Sequence, residues 1–136
     1  MQRSPNGLLH VDVSGRILGA FYRVYDALGF GFLESVYCRA LAREFFNREI
    51  KARAELPIDV WYDGVAVGHF RADFLVEEKV IVEIKTSHQI AQADLKQLTN
   101  YLRCSRVQVG LVLNFGKKAE FKRLIYSNDR KSFAAD

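Results

Sequence analysis

The apolar residues of this chain change their period once, from about 3.6 residues to two, and a chain patterned in that way folds as helices packed against a sheet. Ile17, Phe21, Val24 and Leu28 recur at steps of four, three and four. They predict a helix capped by Ser14 and stopped at Gly29. After the Gly29-Phe30-Gly31 break, Leu33, Val36, Tyr37, Ala40, Leu41 and Phe45 carry the helical period on to about Arg48. From Leu56 the alternation is that of strands. Ile58 to Tyr62 meets Val65 to Val67 across Asp63-Gly64, a dipeptide that favours a two-residue hairpin loop. The returning strand runs to Val76, and the charged turn Glu77-Glu78-Lys79 leads into Val80 to Lys85, which makes a three-stranded antiparallel meander. A third helix over about Ile90 to Arg103, with Leu95, Leu98 and Leu102 on one stripe, precedes strands at Val107 to Phe115 and Phe121 to Tyr126. The fold class is therefore α/β or α+β.

A chain of 136 residues with 49% hydrophobic and 26% charged residues fits one domain, assigned to 1–136. At that size folding buries roughly two-thirds of the unfolded surface, so no disulfide or structural metal is needed. Cys38 and Cys104 form no C-x-x-C pair and read as reduced packing residues. No apolar run approaches the ~20 residues that cross a bilayer, so no membrane association is expected. Arg3, Pro5 and Asn6 precede any apolar stretch, unlike a signal peptide, and the expected location is the cytoplasm. The net charge of +4 has a local origin: six basic and two acidic residues lie between Lys117 and Lys131. That surplus suits a polyanionic partner or a solvated tail.

The chemistry depends on the register of the second and third strands. If Val76 pairs with Val80 around a three-residue loop, Asp73 stands opposite Glu83; a two-residue loop would set Asp73 against Val82. The three-residue register is the expectation here, although Glu77, Glu78 and Lys79 supply no Gly for its left-handed position. Alternation puts Arg71, Asp73 and Leu75 on one face, and Ile81, Glu83 and Lys85 on one face of the next strand. Adjacent carboxylates repel unless a divalent cation sits between them, and hard oxygen ligands suit Mg²⁺ or Mn²⁺. Lys85 could then stabilise charge on a phosphate or orient a water, while a salt-bridged strand face accounts for the same three residues. Glu34 projects between Leu41 and Phe45 inside the apolar stripe of its helix, where a carboxylate needs a partner; Glu44 projects onto the same stripe near the helix end. Asp94, Gln97 and Tyr101 share a helix face, and Gln97 and Tyr101 can reach a common phosphate, base or water. His10, His69 and His88 lack metal-binding spacing; His69 could join the Arg71/Asp73 face and His88 could lie near Lys85, but both read as partly exposed polar residues.

Together these residues resemble a known family. Gly31-Phe32-Leu33-Glu34-Ser35-Val36-Tyr37 is similar to the signature of the GxxExxY family, and Asp73 with Glu83-Ile84-Lys85 resembles the core motif of the PD-(D/E)XK nuclease superfamily. The likeness extends through Leu28-Gly29, Arg71-Ala72-Asp73, Gln97 to Leu102, Gly110-Leu111 and Asn114-Phe115-Gly116. Three positions depart from the family pattern: Phe30 stands for a frequent Pro, Asp94 for a frequent His, and Lys96 for a small residue. The resemblance implies a restriction-endonuclease-like core, a mixed central sheet flanked by helices. It further implies that Asp73, Glu83 and the Ile84 carbonyl hold the metal, Glu34 completes the site, and Lys85 assists the attacking water.

The expected function is a small nuclease that uses Mg²⁺ or Mn²⁺ to hydrolyse DNA phosphodiester bonds by metal-activated water. Gln97, Tyr101, Lys117 and Lys118 are assigned to substrate contacts, with nucleic acid as the partner and a homodimer left open. Two rivals are a nucleic-acid-binding module that keeps the fold without turnover, and a structural or partner-binding subunit.

Overall fold

The computed structural model describes residues 9–132. Two helices come first, α1 (Val11–Leu28) and α2 (Glu34–Asn47), followed by the strands β1 (Ala52–Tyr62), β2 (Val65–Val76) and β3 (Val80–Lys85). Then come α3 (Gln92–Arg103), β4 (Val109–Phe115), β5 (Ala119–Ile125) and a short 3₁₀ turn at Asn128–Arg130. The expected order of elements is the observed one. The strands form a single sheet in the order β1-β2-β3-β4-β5. Every neighbouring pair is antiparallel except β3 and β4, whose parallel pairing is made by the α3 crossover.

The sheet is covered on both faces. On one side Phe21 of α1 and Tyr37, Leu41 and Phe45 of α2 pack on Val80, Val82, Ile84, Leu111, Leu113 and Phe115. On the other, Leu98 and Leu102 of α3 pack on Leu75, Ile81 and Val112. Period-two alternation along β3 and β4 divides the residues between these two layers. Gly110 allows the second layer to close, since a Cβ there would stand 2.6 Å from Leu98 Cδ1.

The turns follow local chemistry. Asp63 and Gly64 have φ of 51° and 75°, the two left-handed residues of a tight hairpin loop. Val76 pairs with Val80, so the loop between β2 and β3 has three residues. Glu77 and Glu78 adopt φ of 53° and 58° without being glycine. Their side chains hold the turn: Glu77 accepts from the Lys51 amide at 2.9 Å, and Glu78 takes both Arg53 Nε and Nη2, at 2.9 and 3.0 Å.

Several boundaries differ from the sequence reading. Ser14 is not a cap, because Val13 extends the buried stripe of α1 by a turn and the helix begins at Val11. The buried Ser14 hydroxyl instead accepts from Arg123 Nε at 3.1 Å. Arg123 also donates to the Leu9 carbonyl, so the basic segment is not simply a solvated tail. β1 starts at Ala52 rather than Ile58; its pairing with β2 from Ala52↔Val76 sets that end, and the Ala-Arg-Ala-Glu run shows no apolar alternation. The third helix begins at Gln92 and the last two strands at Val109 and Ala119. Cys38 and Cys104 are free thiols, each half-buried. Among the described residues no helix is long and apolar enough to cross a membrane. Arg3, Pro5 and Asn6 lie outside the described residues.

Gly110→Ala should lower the stability of the protein by about 1–3 kcal/mol, because the added Cβ forces fully buried Leu98 to shift within the core. A urea unfolding midpoint below that of the wild type, with an unchanged slope, is the expected result.

Candidate active site

The site lies where β2 and β3 part. Their ladder runs through Val76↔Val80, Leu75↔Ile81 and Phe74↔Val82 and stops there, while β3 goes on pairing with β4 as far as Lys85↔Asn114. Two carboxylates bridge the gap. Glu83 Oε1 accepts from the Asp73 amide at 2.9 Å, and Asp73 Oδ2 accepts from the Ile84 amide at 2.7 Å. The three-residue register thus puts Asp73 beside Glu83, but each acid replaces a ladder bond instead of merely facing its neighbour. The N–H and C=O of a strand residue point to the same edge, so the Ile84 carbonyl also faces this gap.

Asp73 owes its orientation to a change of face in β2. Ala72 and Leu75 both pack in the α3-side layer, whereas strict alternation would place them on opposite sides. On the partner strand Glu55 has φ 56°, and the β1–β2 ladder passes from Ala54↔Phe74 to Leu56↔Ala72 without a pair between them. Such irregularities re-aim a side chain. The expected grouping of Arg71 with Asp73 and Leu75 on one face is therefore incorrect; Arg71 is exposed and reaches Glu55 at 3.5 Å.

Lys85 comes from the last position of β3, and its ammonium donates to Gln97 Oε1 at 3.1 Å with Asp94 Oδ1 3.8 Å away. Asp94 is itself fixed, accepting from the Ala91 amide at 2.9 Å at the start of α3. Beyond Lys85 the chain is pinned by buried Asn114, which accepts from the Ser87 amide and donates to the Ser87 carbonyl, at 3.0 and 2.9 Å.

Glu34 is the first residue of α2, and its placement explains the glycine–glutamate–tyrosine spacing around it. Gly29 and Gly31 take φ of 67° and 110° in the turn before the helix. One helical turn later Tyr37, fully buried and stacked on Phe115 at 4.2 Å, donates its hydroxyl back to the Gly29 carbonyl at 2.7 Å. The same oxygen accepts from the Phe32 amide at 3.3 Å. Glu34 is not inside the apolar stripe, which was the expectation. At the helix start it lies beyond the core, and as a residue it is exposed. Glu44 is the carboxylate nearer that stripe, and Arg48 Nε bonds it at 2.7 Å.

Electrostatics join these elements. Burial first, and then Asp73, push the Glu83 carboxyl up to about 8. Burial also raises Asp73, against the lowering effects of the Ile84 amide and Lys85. Partial burial and the charge of Asp73 raise Glu34, so its carboxylate senses the strand acids across the cleft. Cys38 of α2 is pushed up to about 12 by burial and by Asp73, Glu34 and Glu83. From the α3 side, Tyr101 is raised by burial, Glu83 and Asp73. The strand acids are therefore felt from both helical layers. Among the described residues, no three His, Cys, Asp or Glu side chains form a group able to hold a metal ion. The closely joined set is Asp73, Glu83 and Lys85, and Glu34 is coupled to it through the charges of Asp73 and Lys85.

Of the residues assigned to substrate, Gln97 and Tyr101 reach this centre through Lys85 and the two acids. Lys117 and Lys118 are exposed in the turn after β4, which ends at the same edge of the sheet as Lys85. Tyr25 holds that turn, its hydroxyl lying 2.8 and 2.7 Å from the carbonyls of Gly116 and Lys117. His69 pairs with Asp59 at 2.8 Å and is a surface residue, as expected. Sequence reasoning missed the electrostatic proximity of Cys38 to the acids and the ion pair of Asp94 with Lys85. Cys38 stands at i+4 from Glu34, and that spacing was the available signal.

The sequence profile of the PD-(D/E)XK nuclease superfamily matches residues 11–124. No curated protein matches the chain. Among solved structures, that of SSO0001 superimposes with a TM-score of 0.52 at 15% identity, over 90% of this chain and 61% of the other. This chain therefore spans less than two-thirds of SSO0001. An alkaline exonuclease from Laribacter hongkongensis matches with a TM-score of 0.49 at 14% identity, over 86% of this chain and 81% of its own.

Two predictions follow from the geometry. Glu83 has a folded pKa of about 8 against an ordinary 4.5, so the folded state holds the extra proton. The stability from this group is fully present below pH 4.5 and is lost as pH rises through about 8. Thermal melts in EDTA should show a falling midpoint between pH 6 and pH 9, and Glu83→Gln should flatten that fall. Tyr37→Phe keeps the ring on Phe115 but strips the Gly29 carbonyl of its donor. A loss of about 1–2 kcal/mol in urea unfolding is expected.

Proposed function

The chain belongs to the PD-(D/E)XK nuclease superfamily, and from that premise we propose that it is a Mg²⁺- or Mn²⁺-dependent nuclease hydrolysing DNA phosphodiester bonds. The observation that carries this reading is the crossed pair of bonds in which the Glu83 carboxylate accepts from the Asp73 amide and the Asp73 carboxylate from the Ile84 amide, with Lys85 two residues beyond Glu83 on the same strand. Two adjacent carboxyls, both raised first by burial and Glu83 raised further by Asp73, invite a counter-ion, and that supports a cation at this position. Mg²⁺ is commonly held by one or two carboxylates with waters and substrate phosphate, so a two-acid set fits it. Asp73, Glu83 and the Ile84 carbonyl would hold the ion, and Glu34 would close the site from α2. When bound, such an ion supplies Lewis-acid polarisation of the phosphate and lowers the pKa of a water.

The side chains of this protein have separable tasks. Lys85, steadied by Gln97 and Asp94, presents a positive charge where negative charge develops on the phosphate. Glu34, held by the Tyr37-anchored turn, keeps a carboxylate at the mouth of the cleft. Tyr101 offers a hydroxyl next to the acids, and Lys117 and Lys118 supply charge at the same edge of the sheet for the nucleic-acid backbone. Contacts of that last kind carry little sequence information, so selectivity should concern strand state rather than a recognition sequence.

The test is cleavage of labelled single-stranded, duplex and branched DNA, and of RNA, with Mg²⁺ or Mn²⁺. DNA should be cut and EDTA should stop the reaction. Asp73→Asn, Glu83→Gln and Lys85→Ala should each slow it by about 10²-fold or more while thermal melts show folded protein. Failure of the wild type on every substrate with either ion removes the nuclease reading.

A further inference from the structure

The sheet carries an arm that the acid site does not use. Beyond Leu56 and Ala72 the hairpin of β1 and β2 extends past the end of the β2–β3 ladder, with a register irregularity between Val60 and Trp61. It exposes large apolar groups, Trp61 (56% exposed) and Tyr62 (74%) at its tip and Phe70 (48%) near its base. Between this arm and α3 runs a groove of about 1520 Å³. That is larger than the roughly 300–1,000 Å³ of a small-molecule pocket.

The two walls differ in chemistry. Trp61, Tyr62 and Phe70 line the groove from the arm. Opposite them Lys96, Asn100 and Arg103 line the groove from α3, at the i, i+4, i+7 spacing that forms one stripe of a helix. Five Lys or Arg and two Asp residues line the groove, so its lining carries a surplus of positive charge. One of the two aspartates, Asp59, is engaged by His69 at 2.8 Å. Of the basic residues, Lys131 is committed to the carbonyls of Ser105 and Val107, and Arg130 stacks on Tyr126 at 4.2 Å. Lys96 and Arg103 are exposed. The groove leads to the acids without containing them: Gln97 and Tyr101 line it, Phe70 and Tyr101 have ring centroids 6.0 Å apart, Gln97 accepts from Lys85, and Tyr101 feels Glu83 and Asp73.

We propose that this groove receives single-stranded DNA, with bases stacked on Trp61, Tyr62 and Phe70, phosphates on Lys96 and Arg103, and the strand passing Tyr101 toward the carboxylates. The inference rests on the nuclease reading and names its substrate. An aromatic wall facing a basic track is the pattern of single-strand binding surfaces, because the faces of unpaired bases are open to stacking and those of a duplex are covered by their neighbours. Stacking on several rings beside only a few cationic contacts favours an unpaired strand over a duplex, which would engage mainly the charges.

Trp61 is the single tryptophan of the chain, so its fluorescence reports on the groove directly. The full chain in EDTA is titrated with a 20-nucleotide oligo(dT), with a blunt 20-base-pair duplex and with a 20-nucleotide oligo(rU). Oligo(dT) should quench Trp61 and bind at least tenfold tighter than the other two. Tyr62→Ala with Phe70→Ala should weaken oligo(dT) binding at least tenfold. Lys96→Glu with Arg103→Glu should weaken it as much and flatten its dependence on salt. Absence of quenching, equal or tighter binding of duplex or oligo(rU), or unchanged affinity in both double variants overturns the proposal. The two readings fail separately. A wild type that binds oligo(dT) with quenching but cuts nothing loses the nuclease reading, and one that cuts duplex with no response from Trp61 loses the groove.

Discussion

The architecture of the site depends on two hydrogen bonds made where a sheet would ordinarily make its own. Past Phe74↔Val82 the backbones of β2 and β3 separate, and the amides of Asp73 and Ile84 are left facing a gap. Glu83 and Asp73 answer them crosswise, at 2.9 and 2.7 Å. Each acid is thereby fixed by the other's strand, so neither can swing away without stranding a backbone donor. The arrangement is stable for the amides and unfavourable for the carboxylates, since burial raises both and Asp73 raises Glu83 further. Strain of this kind is tolerated at functional centres when the surroundings over-determine the geometry. Here α2 and α3 do so from opposite sides, by way of Tyr37 and the turn it holds and of Gln97 and Asp94 around Lys85.

Much of this was legible in the residues. The period change separated two helices from a sheet, and the three-residue register of Glu77-Glu78-Lys79 followed from matching Val76 to Val80, although the loop lacked glycine. The structure supplies what the pattern lacked: Lys51 and Arg53, from the start of β1, stabilise the two left-handed glutamates. That compensation is tertiary and leaves no local trace. For the same reason β1 was read too short, since Ala52 to Ala54 belong to a strand through their partner alone. Ser14 read as a cap because its type suits one, but the buried Val13 carries α1 past it and Arg123, 109 residues away, takes its hydroxyl.

The candidate site was legible by residue type and less so by orientation. Asp73 lies beside Glu83 as the three-residue register implied, and Lys85 from the same strand bonds Gln97, a contact that no spacing indicated. Glu34 faces the same cleft from the open start of α2, not from the apolar stripe where a 100-degree projection set it. Projection treats every position of a helix as equally covered, whereas the first residue projects beyond its own core. The change of face at Asp73 was not readable at all. Alternation assumes an unbroken ladder, and here Glu55 adopts φ 56° opposite Asp73.

That single irregularity has two consequences that belong together. It turns Asp73 toward Glu83, and it lies where the β1–β2 hairpin leaves the shared sheet. β2 has twelve residues and β3 six, and only three pairs join them. The remainder of β2 can pair only with β1, so the hairpin stands clear, and the space between it and α3 stays open. Had β3 continued along β2, backbone carbonyls would have occupied the gap that the two carboxylates now fill, and another strand would have flanked the arm. The acid pair and the aromatic groove are thus two results of one divergence, and Tyr101, which feels the acids and touches Phe70, marks the place where they adjoin.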